Sequence, residues 1–129
     1  MVLTGYYPML TLKIDESKSV GDFRKEFSAT FPFLKIELFR KMANQAEKTG
    51  TKDMTILPAN QPIGKDAEAI HIGGDTTVTA LKSLFLEKLG ITIHIYRKSG
   101  TMWIETSLTD DWTLERQNDE AEQMNQNLI

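Results

Sequence analysis

The chain has 129 residues, 40% of them hydrophobic and 26% charged, which is enough apolar material for one domain with its own core. The net charge of −3 argues against a general nucleic-acid binder, which wants a basic surface. There is no cysteine, so disulfides, thiolate metal sites and a cysteine nucleophile are excluded.

Residues 1–8 form a lead-in punctuated by Gly5 and Pro8, with Tyr6 and Tyr7 placed to pack on something. The opening lacks a basic stretch followed by an apolar one, so no signal peptide is expected and a cytoplasmic location is the default. No apolar run reaches the roughly 20 residues that a membrane span needs. A first strand is expected over 9–14, where Leu10, Leu12 and Ile14 alternate with polar residues. Ser19 then caps a helix, with Asp22 completing a capping box. Val20, Phe23, Phe27 and Phe31 form its apolar stripe, and Pro32 ends it. A second strand covers 34–39.

The polar, turn-rich stretch 42–53 leads to MTIL, read as a short edge strand. Asn60 and Pro62 then suggest one helical turn. A third strand over 69–72 and a Gly73-Gly74 turn follow. Thr77 caps a second helix with the stripe Val78, Leu81, Phe85 and Leu89, and Gly90 suits its left-handed end. A fourth strand spans 91–97. A Ser99-Gly100 turn joins it to a fifth over 101–107, in a register that sets Tyr96 against Trp103 and His94 against Glu105. A C-terminal helix is expected to open at Thr109 or Asp110.

One segment recurs. Leu12, Ile14, Val20, Phe23, Phe27 and Phe31 align with Ile70, Ile72, Val78, Leu81, Phe85 and Leu89. After one deletion, Leu34, Ile36 and Leu38 align with Ile91, Ile93 and Ile95, and Arg40-Lys41 with Arg97-Lys98. Two strand–helix–strand units in tandem, each with a right-handed crossover, predict an α+β, ferredoxin-like βαββαβ fold. The expected sheet is antiparallel, in the order second, third, first, fourth, fifth strand, with both helices on one face. Residues 1–108 would form this duplicated domain. Residues 109–129 would form an acidic C-terminal helix and frayed tail, with six acids against Arg116.

The phrases FPFLKIELF, YRKSGTMWIETS and TDDWTLERQN resemble a group of small bacterial proteins with a duplicated βαβ unit and no established activity. That resemblance implies no catalytic residues.

The outer sheet face would carry the candidate interaction surface: Lys13, Lys35, Glu37, Phe39, His71, His94, Tyr96, Trp103 and Glu105, with Trp112 packed at the edge near the fourth and fifth strands. His71, His94 and Glu105 could be read as metal ligands. The two histidines would stand two strand spacings apart, with Lys13 between them opposing a cation, so no metal is expected. Gly73-Gly74 before a helix invites a phosphate-loop reading, but Asp75 would repel the anion. RNA-recognition domains stack bases on aromatics of their central strands, and here the aromatics would lie at the edges. No nucleophile motif is present. The expected function is a non-catalytic interaction or oligomerisation module, with a protein partner or itself, no cofactor, and neither nucleic acid nor membrane. A small-molecule-binding regulatory domain with its ligand at a dimer interface is the second reading. A small enzyme of unrecognised type is the third.

Overall fold

The computed structural model describes residues 9–41, 54–64 and 68–126. The lead-in 1–8, the turn-rich stretch 42–53 and the chain end 127–129 lie outside the described residues. The elements are β1 (Met9–Ile14), α1 (Val20–Thr30), β2 (Leu34–Lys41), β3 (Met54–Ile56), β4 (Glu68–Gly73), α2 (Val78–Leu89), β5 (Thr92–Ser99), β6 (Met102–Glu105) and α3 (Leu114–Gln126), with a 3-10 turn at Ser107–Thr109. The fold is mixed α+β with antiparallel sheets.

Both helices begin and end as their capping residues dictate. Ser19 Oγ accepts from the Asp22 amide at 3.1 Å, and Asp22 Oδ2 accepts from the Ser19 amide. Thr77 Oγ1 caps the Ala80 amide of α2 at 3.1 Å, and Gly90 closes that helix at φ 65, where a side chain would be strained. The stripes are inside: Val20, Phe23, Phe27 and Phe31 on α1 and Val78, Leu81 and Phe85 on α2 are buried. Phe23 joins the helices through Phe85, with ring centroids 5.6 Å apart.

The strand order differs from the expected single sheet. β1 pairs with β4 as a separate two-stranded ribbon, and a four-stranded sheet runs β3-β2-β5-β6. The expected neighbour relation of the first and third strands therefore holds, while the second strand lies beside the fourth. Alternation fixes which face of a strand is buried, and it is the same face in both arrangements, so it does not select the neighbour. Both edges of β2 are taken instead: β5 pairs with Leu34–Phe39 along one, and on the other β3 pairs with Phe39–Lys41 while Arg24 and Ser28 of α1 hold the Ile36 and Leu34 carbonyls.

Both pairings are centred on counterpart residues of the repeat. Leu12 faces Ile70 in the ribbon, and Glu37 faces His94 in the sheet. Antiparallel pairing of a segment with its own counterpart is what a two-fold axis through the two pairs generates. Leu12, Ile14, Ile70 and Ile72 from the ribbon meet Leu34, Ile36, Leu38, Ile91, Ile93 and Ile95 from the sheet in one core.

The β5–β6 hairpin turns at Gly100-Thr101, one residue later than expected. Gly100 has φ 64 and Thr101 does not have a positive φ, the pattern of a two-residue turn with glycine first. The register moves by two residues, so Trp103 faces Lys98, and Glu105 faces Tyr96. A two-residue slip keeps every side chain on its face. Ile104 turns to the same side as Arg97 and is 46% exposed, because it lies on an edge strand whose four residues are all exposed.

The segments that follow β3 and β6 return to the helix starts, and the first does not form the helical turn expected at Asn60 and Pro62. The first, residues 58–63, gives the Gln61 carbonyl to the Val20 amide and the Ala59 carbonyl to the Gly21 amide, both at 2.8 Å. The second, residues 109–114, gives the Trp112 carbonyl to Val78 at 3.1 Å and the Asp110 carbonyl to Thr79 at 2.9 Å. These straps end on Ile63 and Leu114, both buried. Because Asp110 and Trp112 serve α2 in this way, α3 opens at Leu114, later than the expected Thr109 or Asp110. It packs on β5 and is held by Gln117, which is fully buried. The Gln117 amide donates to the Thr109 carbonyl at 2.7 Å, and its oxygen accepts from Arg97 at 2.8 Å. Asn125 still bonds the hairpin turn through the Gly100 amide at 2.8 Å, so the helix is fixed beyond Met124.

Phe27 and Phe85 are counterpart anchors with no solvent exposure. Replacing either by alanine should cost about 3–5 kcal/mol. Urea titration of each variant measures this, and a loss under roughly 1 kcal/mol in either would contradict the packing described.

Candidate interaction surface

The open face of the four-stranded sheet follows from alternation. With Leu34, Ile36, Leu38 and Ile91, Ile93, Ile95 turned to the core, Lys35, Glu37 and Phe39 of β2 and His94 and Tyr96 of β5 turn outward. Trp103 and Glu105 of β6 join them. Seven of the ten expected surface residues therefore share one face.

Lys35 sits directly opposite Tyr96. Its Nζ lies 5.1 Å from the Tyr96 ring and 5.2 Å from the Trp103 ring, and 3.8 Å from Glu37 Oε2. His94 Nδ1 is 2.5 Å from Glu105 Oε2, a diagonal contact that survives the register shift, and the Phe39 ring meets His94 edge-on at 5.0 Å. Each cation–π contact at such an exposed site contributes about 0.5–1 kcal/mol, and an exposed ion pair less. Partial burial, then the neighbouring carboxylate of Glu37 and a hydrogen bond to it, then Glu105, push the Tyr96 hydroxyl up to about 12 from 10.0.

The other three expected residues lie elsewhere. Lys13 and His71 belong to the β1–β4 ribbon, where His71 Nδ1 is 3.2 Å from Thr11 Oγ1. His71 and His94 thus stand on different sheets, and among the described residues no group of three His, Asp or Glu side chains gathers to hold a metal. Trp112 lies on the second strap, on the helix side of the sheet, between Arg97 at 5.5 Å and Arg116 at 3.9 Å. The C-terminal helix packs on the chain's own β5, and it does not cover the outer face. Gly73-Gly74 forms a turn, and the first amides of α2 beyond it are taken by the strap and by Thr77. Contrary to the expectation that the aromatics lie at the edges, Phe39 and Tyr96 stand on the two central strands of the four-stranded sheet, where RNA-recognition domains stack bases. Glu37 and Glu105 beside them still oppose a phosphate backbone.

Two clefts flank the first strap, and neither was foreseen. One, of about 360 Å³, lies between α1 and β2 beside Gly21, Arg24, Lys25, Ser28, Ile36 and Ala59. The other, of about 530 Å³, is lined by Ile14, Arg40, Gln61, Pro62, Ile63 and Leu89, among others. In the second unit the counterpart of Gln61 is Trp112, and it packs against Arg97, the counterpart of Arg40. A legible signal was present. PANQPI and TDDWTL each close on an apolar residue after a polar turn, at corresponding places in the two units.

No helix among the described residues is long and apolar enough to cross a membrane. Compared with family models, curated proteins and solved structures, the chain matches none.

The raised Tyr96 value has a sign. The neutral hydroxyl is favoured in the folded state, so its contribution is fully present below pH 10.0 and is lost as pH rises toward about 12. Stability measured across that alkaline window should fall less in Tyr96→Phe than in the parent chain. Equal pH dependence in the two proteins would contradict the arrangement of Tyr96 with Glu37.

Proposed function

We propose that the protein is a non-catalytic interaction module, built from a duplicated unit, that associates with a second copy of itself through the free edge of β6. The observation that carries this reading is the strand itself. It is the last strand of the sheet, all four of its residues are exposed, and three are large and apolar: Met102 at 66%, Trp103 at 38% and Ile104 at 46%. An open, apolar edge is a template for pairing with another chain, and monomeric proteins usually blunt such edges with charge or proline.

A second copy fits because the segment is self-complementary. Antiparallel pairing across a two-fold axis at Trp103 sets Trp103 against Trp103 and Met102 against Ile104 of the other copy, each on a shared face. Aromatic and aliphatic cross-strand pairs of this kind contribute roughly 0.2–1 kcal/mol each. The sheet would continue from four strands to eight. The open face with Lys35, Tyr96 and Trp103 would become continuous across both copies. Matching straps on both helices and counterpart-centred strand pairings support descent of the chain from one duplicated unit.

Sedimentation equilibrium tests the assembly. The parent chain should sediment as a dimer at micromolar concentration. Ile104→Lys, at an exposed site where the fold should tolerate it, should sediment as a monomer with unchanged melting temperature. A parent chain that is monomeric up to millimolar concentration, or a dimer untouched by Ile104→Lys, would sink the reading.

A further inference from the structure

The two units differ at one place where the second shows what the first lacks. In the second unit Asp110, on the strap, is 2.7 Å from Lys82 Nζ on α2, and its carbonyl accepts from the Thr79 amide and hydroxyl. The counterpart of Asp110 in the first unit is Ala59, which accepts from the Gly21 amide in the same way. The counterpart of Lys82 is Arg24. So the first unit keeps the helix cation and the strap but has lost the carboxylate between them. The space that remains is the cleft of about 360 Å³ beside Arg24, Lys25, Ser28 and Ala59.

Arg24 is half-buried there and aimed. Its Nε donates to the Ile36 carbonyl at 3.2 Å, and Ser28 Oγ donates to the Leu34 carbonyl at 3.1 Å, so both side chains are braced against the edge of β2. Among the described residues neither Arg24 nor Lys25 enters an ion pair. A guanidinium held through Nε still presents its terminal amino groups, which suit a carboxylate. Gly21 matters as well. A Cβ at that position would stand 3.0 Å from Ala59 Cβ, so the strap lies close on α1, and the mouth of the cleft is formed by backbone and small side chains.

We propose that this cleft binds a carboxylate supplied from outside the chain, held by Arg24 with Lys25 beside it, in the place that Asp110 fills in the second unit. The group could come from a free dicarboxylate or from an acidic side chain of a partner peptide, and the chemistry recognised is the same. The site lies between α1 and β2, two strands from β6 in the sheet order with Lys35 at its rim, and does not depend on pairing of two copies.

The test uses the full chain with two probes, succinate and a short peptide carrying consecutive aspartates, followed by NMR shifts of the α1 amides during titration. Shifts that saturate with either probe are expected in the parent chain. Binding of succinate would assign a small carboxylate as sufficient; binding of the peptide alone would assign the partner-peptide source. Ala59→Asp restores the missing carboxylate and should weaken either probe by roughly tenfold or more while leaving the fold intact. Arg24→Gln, which removes only the charge, should weaken binding by a similar factor and carries the test should Ala59→Asp fold poorly. No saturable shift with either probe, or Arg24→Gln binding as the parent does, would overturn the proposal.

Discussion

Four backbone carbonyls fix the architecture. The first amides of any α-helix have no partner within the helix, and buried ones must find one. In this chain the first two amides of α1 and of α2 are met by the carbonyls of Gln61 and Ala59 and of Trp112 and Asp110. To make these bonds the chain has to leave each hairpin and run back to the start of the helix it has already formed. It then delivers Ile63 and Leu114 into the core beside Phe23, Phe27 and Phe85. Burying each of these residues contributes roughly 1.5–3 kcal/mol, so the straps are structural members.

Backbone bonds leave the strap side chains free to differ, and the two units use that freedom. Asp110 and Trp112 fill the second unit, one against Lys82 and the other between Arg97 and Arg116. Ala59 and Gln61 leave two clefts in the first. The sheet shows a similar asymmetry at its edges. β3 covers only Phe39 to Lys41 of β2, whose neighbouring carbonyls are taken by Arg24 and Ser28. β6 ends the sheet with Met102, Trp103 and Ile104 in solvent. One edge is thus protected by its own helix, and on the other the β6 side chains are exposed.

The helices were legible because local chemistry decides them: Ser19 with Asp22, Thr77, Gly90 and the two apolar stripes needed no knowledge of the rest of the chain. The inward faces of β1, β2, β4 and β5 were legible for the same reason. Strand neighbours were not, since one alternating pattern serves a single antiparallel sheet and a ribbon-plus-sheet equally well. In the structure both edges of β2 are occupied, by β5 on one side and by β3 with Arg24 and Ser28 on the other. The hairpin was foreseen with its turn one residue early, because Ser99-Gly100 and Gly100-Thr101 both place glycine in the turn. Seven of the expected surface residues share one face of the four-stranded sheet. Lys13 and His71 were misplaced with the strand order; Trp112 does lie against the fourth expected strand, at Arg97, but on the helix side of the sheet, where its backbone is committed to α2. The clefts were invisible, since they depend on which strap residue lies opposite which helix cation.

Native-state hydrogen exchange at the amides of Val20, Gly21, Val78 and Thr79 addresses the straps most directly. As first-turn positions they would exchange quickly in a helix with a free start. The strap bonds described here predict protection at all four comparable to that of mid-helix amides such as Phe27 and Phe85. Rapid, unprotected exchange at Val20 and Gly21 or at Val78 and Thr79, in a chain whose mid-helix amides are protected, would contradict the account.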